Sequence, residues 1–298
     1  MRNILLTAVL AGLVGCVGGI DTTNPDPTGP GPDPTNPGDP TKPGDASQAK
    51  PLFDSDVYPI LSAKCKSCHS STSPLPQAPG FVAPTATDGY SIAHGYGSLV
   101  GDLSPSAPIL SIVAQGHNGT TYTPGETSKI TAWLAAELAA RNAGAPVDDN
   151  SPGAKITKLQ KEWSGCMTLT NFNTAKMATA WANMQTNDGN GNATCGSCHD
   201  NAEYNEIATT VPQKFFDKIS QSTTLMSQYF TVDSMTAPTK IIMNTTQLNL
   251  VATAGTGHIG HRRFNLANSA GMTALTTFYN ATVAAKAAGT CGQPVLKN

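Results

Sequence analysis

The sequence predicts an all-α protein, two helical domains in tandem preceded by a signal peptide and a disordered Pro/Gly-rich linker. Three observations predict it. The pattern C-x-x-C-H occurs twice, at Cys65-Lys66-Ser67-Cys68-His69 and at Cys195-Gly196-Ser197-Cys198-His199. Around each copy, apolar residues recur at helical rather than alternating spacing. The order that follows the first copy (loops, a Gly-His segment, a closing helix) returns after the second.

C-x-x-C-H is the attachment pattern for a c-type haem. Two thiols three positions apart share one face of a helical turn and can add to the two vinyl groups of one porphyrin. The adjacent His then gives its imidazole to the iron. With seven Cys and six His in the chain, one chance copy is expected on the order of 0.003 times. The competing chemistries explain less. A four-thiolate zinc site would have to join the two pairs across a long segment, and it leaves both His without a role. A thioredoxin-like dithiol calls for a strand-to-helix context in an α/β pattern, which neither copy has. Two plain disulfides also leave the His unexplained. The expected cofactors are therefore two covalently bound haems, held by Cys65, Cys68, Cys195 and Cys198, with His69 and His199 as proximal iron ligands.

Charged residues make up 13% of the chain, about half the usual quarter. Ser, Thr, Asn and Gly replace them, as in many exported proteins. The net charge of −2 implies no strong pull toward nucleic acid or anionic lipid.

Residues 1–15 read as an export signal: Arg2 supplies the positive end, and Ile4 to Val14 an apolar stretch too short to span a membrane. Its end, Leu13-Val14-Gly15-Cys16, resembles the lipobox of bacterial lipoproteins. That resemblance implies cleavage before Cys16, lipidation of Cys16, and attachment to the membrane by lipid anchor only. Val17, rather than Asp, follows the Cys, which by the same resemblance points to the outer membrane. Residues 16–50 form a linker dominated by Gly, Pro, Thr and Asp, with Pro at 25, 27, 30, 32, 34, 37, 40 and 43. Such a stretch prefers extended polyproline-like states and at ~3.1 Å per residue reaches about 100 Å.

The first domain is expected at 51–146. Asp54 and Ser55 can cap a helix, Pro59 fits its first turn, and Val57, Ile60 and Leu61 lead to the first motif, giving a helix from Ser55 to His69. Residues 70–90 read as loop. Short helices are expected around Tyr96–Val100 and from Pro108. Thr123-Pro124-Gly125-Glu126 is a capping box with Pro at the first helical position. Ile130, Trp133, Leu134 and Leu138 form the buried face of the closing helix, and Gly144 stops it.

Phe53, Val57, Pro59, Ile60, Leu61, the motif, Leu110, Ile130, Trp133 and Leu134 together resemble the single-haem cytochrome c modules of bacterial envelope proteins. In that family a Met before the closing helix is the second axial ligand. Here no Met lies between Met1 and Met167, and Gly116-His117-Asn118-Gly119 occupies its place. His117 is therefore expected as the distal ligand, with His94 as the alternative. Ligation by two His removes the thioether that raises the potential.

The second domain is expected at 151–298, after a short linker at 142–153 that would hold the two haems as a fixed pair. Residues 154–164 read as helix, and Phe172, Met177, Ala180, Trp181 and Met184 as a second helical stripe serving the core. Residues 187–192 are a turn-rich loop. Helical patches are expected near 212–230 and 238–250, then Gly257-His258-Ile259-Gly260-His261-Arg262-Arg263, then a closing helix from Gly271 to Ala288. His261 lies 17 residues before Phe278 and His117 lies 16 before Trp133, which favours His261 as the second distal ligand. His258 stays open, because Gly-His-x-Gly matches 116–119 better; Met226, Met235 and Met243 are further alternatives. Arg262 and Arg263 can pair with haem propionates. Cys166 and Cys291, left over in an oxidising envelope, are expected to form a disulfide.

These features suggest a two-haem c-type cytochrome lipoprotein that relays electrons between unidentified redox proteins in the cell envelope, facing either periplasm or cell surface. No catalytic constellation is expected beyond the haems. The rival readings are an enzyme like the two-haem bacterial peroxidases, which keep one distal face open, and a haem subunit of a larger envelope complex.

Overall fold

The computed structural model describes residues 48–71, 79–114, 116–144, 148–185, 193–202, 206–254 and 264–297. The expected signal peptide, the lipidated Cys16, most of the linker, the 187–192 loop, His258, His261, Arg262 and Arg263 lie outside these residues.

The described chain is mostly helical. It enters α1 (Ala49–Leu52) earlier than the capping residues suggested, so Ala49 and Lys50 belong to a helix rather than to the linker. A π-helical turn, Phe53–Val57, carries the helix on into α2 (Tyr58–Lys64). Asp54 and Ser55 sit inside this helix instead of capping it: Asp54 pairs with Lys50, and Ser55 donates to the Pro51 carbonyl at 2.9 Å. Pro59 has no N–H to give to the turn before it, and the wider π turn, closed by Tyr58 N–H on the Phe53 carbonyl, absorbs that gap.

The first motif winds α3 (Lys66–His69). Then come α4 (Ala86–Ala93), capped by Thr85, α5 (Gly97–Val100), α6 (Pro108–Ala114), a 3₁₀ turn at His117–Gly119, and α7 (Pro124–Asn142). The capping box forms: Thr123 N–H donates to Glu126 Oε2 at 2.7 Å, and Glu126 N–H to Thr123 Oγ1 at 3.2 Å. Ile130, Trp133 and Leu134 are buried, but Leu138 is 40% exposed. Glu137, one residue earlier and seven after Ile130, faces inward instead and accepts from Trp133 Nε1–H at 3.2 Å. Gly144, at φ +79°, ends the helix region.

The second half opens with α8 (Pro152–Cys166), capped by Ser151. The expected single stripe at 172–184 is two helices, α9 (Leu169–Thr174) and α10 (Met177–Ala182), broken at Lys176, which takes a left-handed φ of +59°. The second motif winds α11 (Gly196–His199). Next are α12 (Pro212–Gln221), α13 (Thr223–Tyr229), β1 (Phe230–Val232) and β2 (Ile241–Met243), then α14 (Thr245–Ala254) and α15 (Ala270–Ala287). The two strands pair antiparallel, Phe230 opposite Met243 and Val232 opposite Ile241, which adds a short ribbon to the mostly helical chain and corrects the helix expected from 238. The segments Phe-Thr-Val and Ile-Ile-Met are rich in aromatic and β-branched residues, and such side chains suit a pleated, half-buried surface.

One apolar core runs through both halves, and α8 joins them. This helix packs on α4 and α5 of the first half and on α15 and β2 of the second. Thr157 Oγ accepts from Gly97 N–H at 2.9 Å and donates to the Gly95 carbonyl at 2.7 Å. Arg141 reaches the His94 carbonyl nearby. After α15 the chain returns along the end of α8. Cys291 is disulfide-bonded to Cys166, Gly292 N–H meets the Gly165 carbonyl at 2.8 Å, and the buried Ser164 hydroxyl accepts from Val295 and Leu296 N–H at 3.1 Å each. Among the described residues no helix is long and apolar enough to cross a membrane.

Candidate functional site

Both motifs fold the same way. The backbone turns once from the first Cys to the His: His69 N–H donates to the Cys65 carbonyl at 2.8 Å, and His199 N–H to the Cys195 carbonyl at 3.1 Å. The carbonyl of each motif His then accepts from a returning segment, from Val82 N–H at 2.8 Å and from Ala208 N–H at 3.0 Å. All four motif cysteines are free thiols. In each pair the first thiol is the more enclosed: Cys65 is buried and Cys68 half-buried, Cys195 half-buried and Cys198 exposed. The x positions differ. Lys66 is exposed, whereas a Cβ on Gly196 would lie 2.9 Å from the Ala208 carbonyl and 3.0 Å from that of Ala182.

At the first site His69 is oriented for ligation. Its Nδ1 lies 3.0 Å from the Pro79 carbonyl, which can only accept, so Nδ1 carries the proton and Nε2 keeps its lone pair. The Phe81 ring packs against the His69 imidazole at 4.6 Å, tilted by 33°. Burial lowers the His69 pKa, which favours the neutral, metal-binding form.

The imidazole of His117 stands 5.8 Å from that of His69, centroid to centroid, at 33° between planes. Two imidazoles bonded to opposite sides of one metal at roughly 2 Å each have centroids about 6 Å apart. His117 is placed by a turn between two left-handed glycines, Gly116 at φ +87° and Gly119 at φ +72°. An L side chain is strained at either position, so Gly-His-x-Gly is the pattern this turn needs. The alternative ligand, His94, is placed elsewhere. Its buried ring stacks on Tyr90 at 4.8 Å, and burial with the Arg141 guanidinium pushes its pKa down to about 4.

At the second site His199 is buried. Burial, with the Glu206 carboxylate beside it, pushes the Cys195 thiol up to about 12. Burial likewise pushes Glu206 up to about 7, and the buried Tyr229 hydroxyl, which donates to the Ile207 carbonyl at 2.6 Å, lies against this carboxyl. Met226 is buried in the core, and Met243 sits on β2 with its sulfur 3.8 Å from the Thr276 hydroxyl.

Among the described residues no three His, Cys, Asp or Glu converge into a metal-binding group, so the two thiol pairs do not meet as a four-thiolate site. A haem asks for less from the chain, since the porphyrin supplies four of the six donors. Two thiols on one helical turn, the His69 imidazole with its Nδ1 tied to Pro79, and the His117 imidazole 5.8 Å away make a donor set that fits this group at the first site. The partners that sequence reasoning missed are Pro79, Phe81, Tyr122 and Glu206. Pro79 and Phe81 fell in a segment read only as loop, and no local pattern ties any of the four to its motif. Comparisons with protein-family models, with characterised proteins and with solved structures yield no match to this chain.

Proposed function

We propose that the chain is a two-haem c-type cytochrome, tethered by lipid at Cys16, that relays electrons in the bacterial cell envelope. In this reading each half is a cytochrome c-like domain. Cys65 and Cys68 hold one haem, Cys195 and Cys198 the other. His69 and His199 are the proximal ligands, His117 the distal ligand at the first haem, and a His of the 257–261 segment that at the second. The single observation that carries the reading is the approach of the His117 imidazole to within 5.8 Å of that of His69 in the first motif, with Nδ1 of His69 tied to Pro79.

Bound there, the iron supplies a one-electron couple. The chain's own contribution is to fix the ligands. Pro79 holds the His69 ring and its tautomer, and the Phe81 ring packs beside it at 4.6 Å. Two nitrogen ligands favour a lower potential than nitrogen plus thioether. If His69 and His117 both bound the iron, peroxide would have no place at it, which would favour relay over peroxidase chemistry.

The test is mass spectrometry of the protein exported with its haem-attachment machinery, together with low-temperature EPR of the oxidised form. Two covalent haems with low-spin, bis-nitrogen signals are expected. A bare polypeptide, or zinc in place of iron, overturns the reading. Rapid peroxide-dependent oxidation of a donor would move it to the peroxidase class.

A further inference from the structure

The segment that carries His117 is tied to the first motif at three points. Lys64, the last residue of α2, donates from Nζ to the Thr121 carbonyl at 2.9 Å. The same ammonium pairs with the Glu126 carboxylate at 3.2 Å, both side chains being about three-quarters buried. Glu126 is itself fixed as the capping residue of α7, so this contact is anchored to a long helix. Next in the chain, the Tyr122 side chain lies against the Cys65 thiol, and its ring packs on the core.

The His117 turn has little else to hold it. His117 is exposed, and among the described residues nothing beyond the adjoining chain lies within 4 Å of where a Cβ would stand on Gly116 or Gly119. A turn flanked by two glycines and open space gains its position from its ends. One end is α6; the other is the 121–126 segment pinned by Lys64 and Tyr122.

We propose that Lys64 and Tyr122 are positioning residues that hold His117 in the sixth coordination place of the first haem. The proposal rests on the functional reading above. Neither side chain is a ligand. Their effect is on the fraction of time His117 is in place, and an added ligand competes for the iron only in the remaining fraction.

The experiment uses the full haem-loaded chain and reads cyanide binding to the ferric form, with EPR of both haems. His117→Ala defines a fully open first haem. In the Lys64→Gln/Tyr122→Phe double variant, cyanide affinity at one haem is expected to rise about tenfold over wild type, with the second haem unmoved as an internal reference. Lys64→Arg, which keeps the ammonium-type contacts, is expected to stay within about twofold of wild type. If the double variant fails to retain haem, the single variants read the same shift at about threefold each. A wild-type first haem that is low-spin and bis-nitrogen, with cyanide affinity raised in His117→Ala but unchanged in the Lys64 and Tyr122 variants, overturns the clamp and leaves the functional reading standing. A wild type without haem at Cys65 and Cys68 overturns both.

Discussion

Gly153 of α8 lies against the carbonyl of Ile92 in α4 so closely that a methyl in place of its hydrogen would overlap the oxygen. The neighbouring Tyr96 N–H would be only 2.8 Å from the same methyl. The obstructing atoms are backbone on both counts, so no side chain can swing away. Gly153→Ala is therefore expected to push α8 off the first half, at a cost of about 1–3 kcal/mol. Thermal unfolding against Gly125→Ala checks this, because a Cβ at Gly125 meets nothing within 4 Å. A Tm equal in the two variants would show that α8 is not seated as described.

The buried His94 makes stability depend on pH. Its folded pKa is pushed from 6.5 down to about 4, chiefly by burial and then by Arg141, with Asp148 acting the other way. The unfolded chain therefore binds the extra proton between those values while the folded one does not. Stability from this group is complete above pH 6.5 and is lost as the pH falls toward 4, by up to about 3 kcal/mol. Below pH 4 no further loss comes from it. In denaturant titrations, wild type is expected to lose ground to His94→Gln across that window. Parallel pH profiles for the two proteins would contradict it.

The disulfide closes a loop across a sequence separation of 125 residues. By the loop-entropy argument such a link stabilises by about 5 kcal/mol at most, and typical losses on removal are about 2–5 kcal/mol. A Cys166→Ser/Cys291→Ser variant is expected to unfold at clearly lower denaturant, with the steepest loss in protection at Gly292, Val295 and Leu296 amides. Hydrogen exchange reads those amides directly. Unchanged protection there would mean that Ser164 and Gly165 hold the return segment without the covalent link.

The two candidate distal ligands of the second half can be separated. At 116–119 the glycines on either side of His117 both adopt left-handed φ, and the sequence Gly257-His258-Ile259-Gly260 has glycines at the same two places. If the chain holds two haems as proposed, His261→Ala is expected to turn one of them high-spin in the EPR spectrum, as the spacing to the closing helix favours, and His258→Ala to leave both low-spin. The opposite outcome would assign His258, which the Gly-His-x-Gly pattern favours.

Features that depend on a short stretch of chain were legible in the sequence. The capping box at Thr123 to Glu126 and the inward faces of Ile130, Trp133, Phe172 and Phe278 follow from local spacing, and the structure has them. The motif turns were readable for the same reason. What escaped detection depends on distant partners. Pro59 suggested a helix start, and only the π turn before it shows how a helix passes through. Leu138 looked like core, yet Glu137 took the inward position because Trp133 offers it a donor. Pro79 holds His69 from ten residues away, and Tyr122 reaches Cys65 across 57, with no periodicity to betray either.

Helix α8 also sets where the protein can be divided. Its sequence neighbours suggest a seam near residue 146, but Gly153, Thr157 and Gln160 are bonded or fitted to Ile92, Gly95, Gly97 and Ser98. A fragment cut at that seam would bare the shelf on α4 and α5 to water. The remaining piece would carry an apolar helix flank with nothing to lie on. The halves are therefore not interchangeable beads, and any transplant of the first motif into another protein has to take residues 152–166 with it.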